Sequence, residues 1–133
     1  MEITHKRKVT GRPNTSYLTD EQKLAFKEIN KFIESDDKMF CLTGYAGTGK
    51  TTLVSFIMED YLARGMGKVC ASALTNKATL IITQKCEFED DDLSFATIHS
   101  LLSIRPVIDS YGNEKFKADK RGSCSIKDFS LVF

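Results

Sequence analysis

No apolar run in these 133 residues approaches the roughly 20 residues that a membrane-spanning helix requires. The N-terminus lacks the apolar stretch of a secretory leader. Charge of one sign is missing as well. Nineteen Lys and Arg stand against eighteen Asp and Glu, a formal net charge of +1, so bulk charge selects no partner and any phosphate-binding surface has to be local. Cysteine pairs are absent. Cys41, Cys70, Cys86 and Cys124 are widely spaced without a C-x-x-C pair, and neither His5 nor His99 stands at ligand spacing from them. That excludes an ordinary zinc site and predicts reduced thiols, at least two of them in the core, in a cytoplasmic protein. No internal repeat is present.

What is there fits one domain: 41% hydrophobic and 28% charged residues are enough to build a core under a solvated surface. Residues 1–16 lack apolar periodicity and carry Lys6, Arg7, Lys8 and Arg12 around the breaker Gly11-Arg12-Pro13-Asn14, which predicts a basic flexible arm. A helix then starts sharply, with Thr19 as N-cap and Gln22 completing a capping box. Ala25, Phe26, Ile29, Phe32 and Ile33 form its buried face. Met39-Phe40-Cys41-Leu42-Thr43 has the look of a buried strand. After a glycine-rich loop, Leu53, Val54, Ile57, Met58, Tyr61 and Leu62 mark a second helix, with Gly65 ending it. Lys68 to Ala73 is expected to be a strand containing Cys70, and Thr75 to cap a third helix through Ile82. Strands alternating with helices predict an α/β fold with a parallel sheet.

Farther on, Glu87-Phe88-Glu89-Asp90-Asp91-Asp92 is expected to be a solvated acidic turn. Thr97 to Leu102 is expected to be a short helix. Pro106-Val107-Ile108 and Lys115-Phe116-Lys117 flank Ser110-Tyr111-Gly112-Asn113, a β-hairpin pattern with a glycine turn. Phe129 to Phe133 has a strand pattern.

The chemistry sits in Gly44-Tyr45-Ala46-Gly47-Thr48-Gly49-Lys50-Thr51, followed by Thr52. Strand, glycine turn, helix is the context of a phosphate-binding P-loop. Glycine accepts positive φ and lets the backbone approach an anion. Successive N–H groups and the positive end of the following helix then face the phosphates. Lys50 is expected to reach the β- and γ-phosphates and the Thr51 hydroxyl to ligate Mg2+, with ATP as the nucleotide. Kinases, motor ATPases and GTPases share this loop, so the loop alone does not name the reaction.

Four segments, in order, resemble superfamily 1 DNA helicases that move 5′-to-3′, of the RecD-like and phage Dda-like kind. Leu18-Thr19-Asp20-Glu21-Gln22 resembles the helicase Q motif, whose glutamine reads adenine; the amide offers donor and acceptor side by side. Gly44 to Thr51 is similar to motif I. Ala71-Ser72-Ala73-Leu74-Thr75-Asn76-Lys77-Ala78 is similar to motif Ia, with Leu74 where the family usually has proline. Thr97-Ile98-His99-Ser100-Leu101-Leu102 resembles a segment that lies along single-stranded DNA.

The resemblance covers residues 17–133. It implies a RecA-like P-loop domain, incomplete at its C-terminal side, with an inserted hairpin that meets the duplex at the fork. Residues 17–103 would be the ATP-binding part, 104–124 the inserted hairpin region, and 125–133 the start of the strand that precedes the family's Asp-Glu pair. It also implies Thr75, Thr97, His99 and Phe116 as DNA-binding residues, with Lys115, Lys117, Lys120 and Arg121 as a local basic patch. Single-stranded DNA, a fork duplex and other replication or recombination proteins would be the partners, and no membrane. The expected function is the ATP-binding portion of an ATP-driven helicase. Without the acidic pair and a second motor domain, these residues are expected to bind ATP and not hydrolyse it. Two alternatives stay open: another P-loop ATPase or kinase, and a non-enzymatic nucleotide- or DNA-binding protein.

Overall fold

The structure is a computed structural model that describes residues 5–119 and 125–133. Lys120, Arg121 and Cys124 lie outside the described residues.

Helix α1 (Asp20–Ile33) begins as its sequence dictates. The Thr19 hydroxyl accepts the Gln22 N–H, and the Gln22 side chain accepts the Thr19 N–H, so the capping box is complete. Asp20 and Glu21 add acid to the first turn, where the helix dipole favours it. Helix α2 (Lys50–Ala63) follows the glycine loop and ends at Arg64, with Gly65 just beyond it at φ +65°. Its long apolar face buries Leu53, Ile57, Met58, Tyr61 and Leu62. Helices α3 (Asn76–Lys85) and α4 (Ile98–Leu101) start at Thr75 and Thr97, whose hydroxyls accept backbone N–H groups of the first turn.

The sheet is parallel and centred on β2 (Val69–Ala73). Strand β4 (Leu93–Thr97) lies on one side in full register, Val69 opposite Leu93 through Ala73 opposite Thr97. Strand β7 (Leu131–Val132) lies on the other, with Leu131 opposite Val69. One core layer joins α2 to this sheet through Met58, Tyr61, Leu62, Val69, Ala71, Cys86 and Phe88. A second joins α1 to α2 through Leu18, Ile29, Leu53 and Ile57. A separate antiparallel hairpin pairs β5 (Ile104–Ile108) with β6 (Glu114–Ala118) and turns at Gly112, φ +82°. No helix among the described residues is long and apolar enough to cross a membrane.

The structure departs from the sequence expectations at four places. Residues 39–43 form no strand, and Cys41 and Met39 are exposed. Across from them stand Phe129 to Phe133, separated by an apolar cavity of about 640 Å³, and an extended segment without a ladder partner is not a strand. Cys70 and Cys86 are the buried thiols among the described residues, with burial pushing both up in pKa. The acidic turn is not wholly solvated either. Phe88 lies 2% exposed in the core, on β3 (Phe88–Glu89). Strand β4, directly after the acids, was not foreseen.

The fourth departure is the N-terminal arm, which is tied down from residue 6 onward. Strand β1 (Arg7–Lys8) pairs in parallel with β3. Arg7 makes a two-point ion pair with Glu59, and Arg12 bonds Asp60 at 2.6 Å. Glu59 and Asp60 are buried members of α2, and a buried carboxylate requires such partners.

Candidate nucleotide and DNA site

The glycine loop wraps the start of α2. Gly47 and Gly49 hold φ +79° and +84°, conformations that side chains with a Cβ resist. Lys50 is the first residue of α2, and its Nζ donates to the carbonyls of Gly44 and Tyr45 at 2.5 and 2.7 Å. Thr48 donates through its hydroxyl to the Tyr45 carbonyl at 2.7 Å, closing the loop. Thr51 and Thr52 lie in the first turn of α2, Thr51 half-buried and Thr52 exposed. Gly44 and Ala46 are exposed.

Beside this loop opens a cleft of about 240 Å³, lined by Glu21, Gln22, Ala25 and residues 42–45, 48–50 and 53. The fold therefore brings the first turn of α1 to the glycine loop. Gln22 Nε2 donates to the Gly49 carbonyl at 3.2 Å. The cleft can take an anion at the α2 N-terminus, where free N–H groups and the helix dipole favour negative charge. Glu21 was not singled out from the sequence. Its place one residue before Gln22, on the same capped turn, was the available signal.

A second grouping lies at the carboxyl ends of β2 and β4, the usual ligand side of a parallel sheet. Thr75 is exposed two residues past β2, and its hydroxyl accepts the Ala78 N–H at 3.1 Å. Thr97 ends β4 opposite Ala73 and caps α4 through Ser100 at 3.2 Å. A groove of about 390 Å³ runs there between Asn76, Thr79, Leu80, Thr83, Phe95 and Ser100. Asn76, Thr79 and Thr83 were not anticipated, although their spacing along α3 puts polar groups on one stripe. His99 turns toward the hairpin, its ring 4.7 Å from that of Phe116. Phe116 itself is exposed. The hairpin's basic residues are partly engaged: Arg105 pairs with Asp119 and Lys115 with Asp109, at 3.0 and 3.1 Å.

Residues 27–131 match the family model described as "AAA domain". The ATP-dependent DNA helicase dda of Enterobacteria phage T4 is 38% identical over 90 residues, covering 68% of this chain and 19% of that protein. Uncharacterized protein R530 of Acanthamoeba polyphaga mimivirus is 33% identical over 111 residues, 75% of this chain and 22% of that protein. Replication restart protein PriA of Bacillus subtilis (strain 168) is 45% identical over 49 residues, 36% of this chain and 6% of that protein. The chain thus spans about a fifth of the length of the first two relatives. Since the matched domain takes in residues 27–131, from α1 through the glycine loop to β7, the chain belongs to the AAA domain family of P-loop nucleotide-binding proteins.

Proposed function

We propose that this chain is the ATP-binding part of a DNA helicase motor, and that its residues bind Mg-ATP at the Gly44–Thr51 loop. The carrying observation is the convergence of Lys50, the α2 N-terminus and Gln22 on one cleft. Lys50 spends its charge on two loop carbonyls. A triphosphate is a stronger partner, because a charge-assisted bond to phosphate outweighs one to a neutral carbonyl. Binding would thus move Lys50 from Gly44 and Tyr45 to the β- and γ-phosphates. Thr51, one residue into α2, would place its hydroxyl on Mg2+. Among the described residues no cluster of three or more His, Cys, Asp or Glu is placed to cage a metal, which fits an ion that arrives with the phosphates. The ion supplies charge neutralisation at those phosphates. Gln22 would read the adenine edge.

Single-stranded DNA would follow the carboxyl ends of β2 and β4, past Thr75 and Thr97 to the His99–Phe116 pair, with a fork duplex at the hairpin. Other replication or recombination proteins would assemble on the whole motor. For this chain we propose binding without appreciable turnover. Glu21, in the first turn of α1, is the carboxylate among the residues that line the nucleotide cleft.

The test is a thermal melt with Mg-ATP and Mg-GTP. Ligand at about a hundred times Kd stabilises by about 2.7 kcal/mol. That shift is expected with ATP in the parent and absent in Lys50→Ala. A shift that survives unchanged in the variant removes the nucleotide assignment. A phosphate-release assay with single-stranded DNA checks turnover, and release abolished by Lys50→Ala would contradict binding alone.

A further inference from the structure

Gln22 joins two parts of the molecule. Its Oε1 accepts the Thr19 N–H at 2.9 Å, and its Nε2 donates to the Gly49 carbonyl at 3.2 Å, across a sequence separation of 27. That same carbonyl opens α2 by accepting the Leu53 N–H at 2.9 Å. The peptide in question is unusual. Gly49 holds φ +84° and ψ +23°, and a Cβ added to it would stand 2.6 Å from Gln22 Nε2. Gln22 therefore closes on the bare side of Gly49, against the residue that immediately precedes Lys50.

The two partners also fix which way the amide faces. Only its oxygen can accept from Thr19, and only its nitrogen can donate to Gly49. An amide oxygen has two lone pairs and an amide nitrogen two N–H groups. One of each is used here, so one of each remains for a base.

We propose that Gln22 is a positioning residue for the phosphate loop. It holds the Gly49 peptide in its left-handed state and so presets Lys50 and the first turn of α2, in addition to presenting an oriented amide to adenine. The inference rests on the reading of this loop as a triphosphate site. It predicts something that base reading alone does not: a ligand without a base should also feel the loss of Gln22.

The experiment compares Mg-ATP with Mg-tripolyphosphate by titration calorimetry on the full chain. Gln22→Met keeps the side-chain stem and removes both bonds, and Gln22→Ala removes the stem too. Thr19→Ala removes a cap hydroxyl but leaves the Thr19 N–H and the Gly49 contact available, so it reports damage to α1 alone. The expected result is about threefold to tenfold weaker tripolyphosphate binding in both Gln22 variants, the range for one lost hydrogen bond, with Thr19→Ala near the parent. Tripolyphosphate affinity unchanged in a folded Gln22→Met overturns the proposal and leaves Gln22 a reader of the base. Equal weakening in Thr19→Ala overturns it as well, because the effect would then come from the helix cap. A parent that binds neither ligand, like Lys50→Ala, defeats the triphosphate reading itself and takes this inference with it.

Discussion

On the proposed DNA path, Thr75 and His99 would play different parts. The Thr75 hydroxyl uses its acceptor on Ala78 N–H and keeps its own proton to offer a phosphate. The His99 ring rests on Phe116, so its contribution is a flat surface on which a base could stack. Such stacking is worth about 1–3 kcal/mol per base, and a phosphate contact less. Replacing both with Ala is expected to weaken binding of a short oligonucleotide by at least about tenfold, leaving Mg-ATP affinity in place. Fluorescence anisotropy measures the first and calorimetry the second. An unchanged oligonucleotide affinity would remove both residues from the DNA path. The sequence made these positions legible because each sits at a helix start with its own signature. It hid Glu59 and Asp60, because acids next to a broad apolar helix face look solvated. Their burial depends on Arg7 and Arg12, about fifty residues upstream and without periodic relation to them.

At the scale of elements, legibility followed local chemistry. Helix α1 was readable from its capping box, the loop from its glycines, and the hairpin from Gly112. Strand β4 was not, since a run of acids ahead of it looks like loop and its five residues are decided by pairing with β2. Residues 39–43 erred in the other direction. An apolar run says that a segment is fit for burial, not which ladder receives it. The hairpin gives a pH prediction. The Asp109 carboxylate accepts N–H groups of Tyr111 and Asn113, both at 2.9 Å, and pairs with Lys115. The backbone bond from Asn113 and the Lys115 pair hold its pKa below the ordinary 3.8. A lowered folded-state pKa means that this support is complete above the ordinary value and is lost as pH falls through the folded one. The Tyr111 and Asn113 amide resonances should therefore titrate together with a midpoint below 3.8, and Asp109→Asn should abolish that titration. A midpoint at or above the ordinary value would mean that the turn does not depend on this carboxylate.

At the scale of the whole molecule, the N-terminal arm acts as a strap across the domain. Its strand β1 adds to β3, Lys6 donates to the Thr83 carbonyl on α3 at 2.6 Å, and its two arginines reach the buried acids of α2. The strap thus ties α2, which follows the glycine loop, to α3, which flanks the groove at the sheet ends. Arg12 and Arg64 share Asp60, which is 2% exposed. Because Arg64 remains, Arg12→Ala does not strand the carboxylate, and because Arg12 is itself more than half exposed, solvent screens part of the interaction. The expected cost is about 1–2 kcal/mol. Arg7→Ala leaves Glu59 without its two-point partner and is expected to cost at least as much. For a domain of this size that lowers Tm by about 3–10 °C, with Lys77→Ala on the exposed surface as the control. Mg-ATP should restore part of the loss by mass action, since ligand binding and the strap both favour the folded α2. Melting temperatures of Arg7→Ala and Arg12→Ala that match the Lys77→Ala control would show the arm to be a passenger rather than a strap.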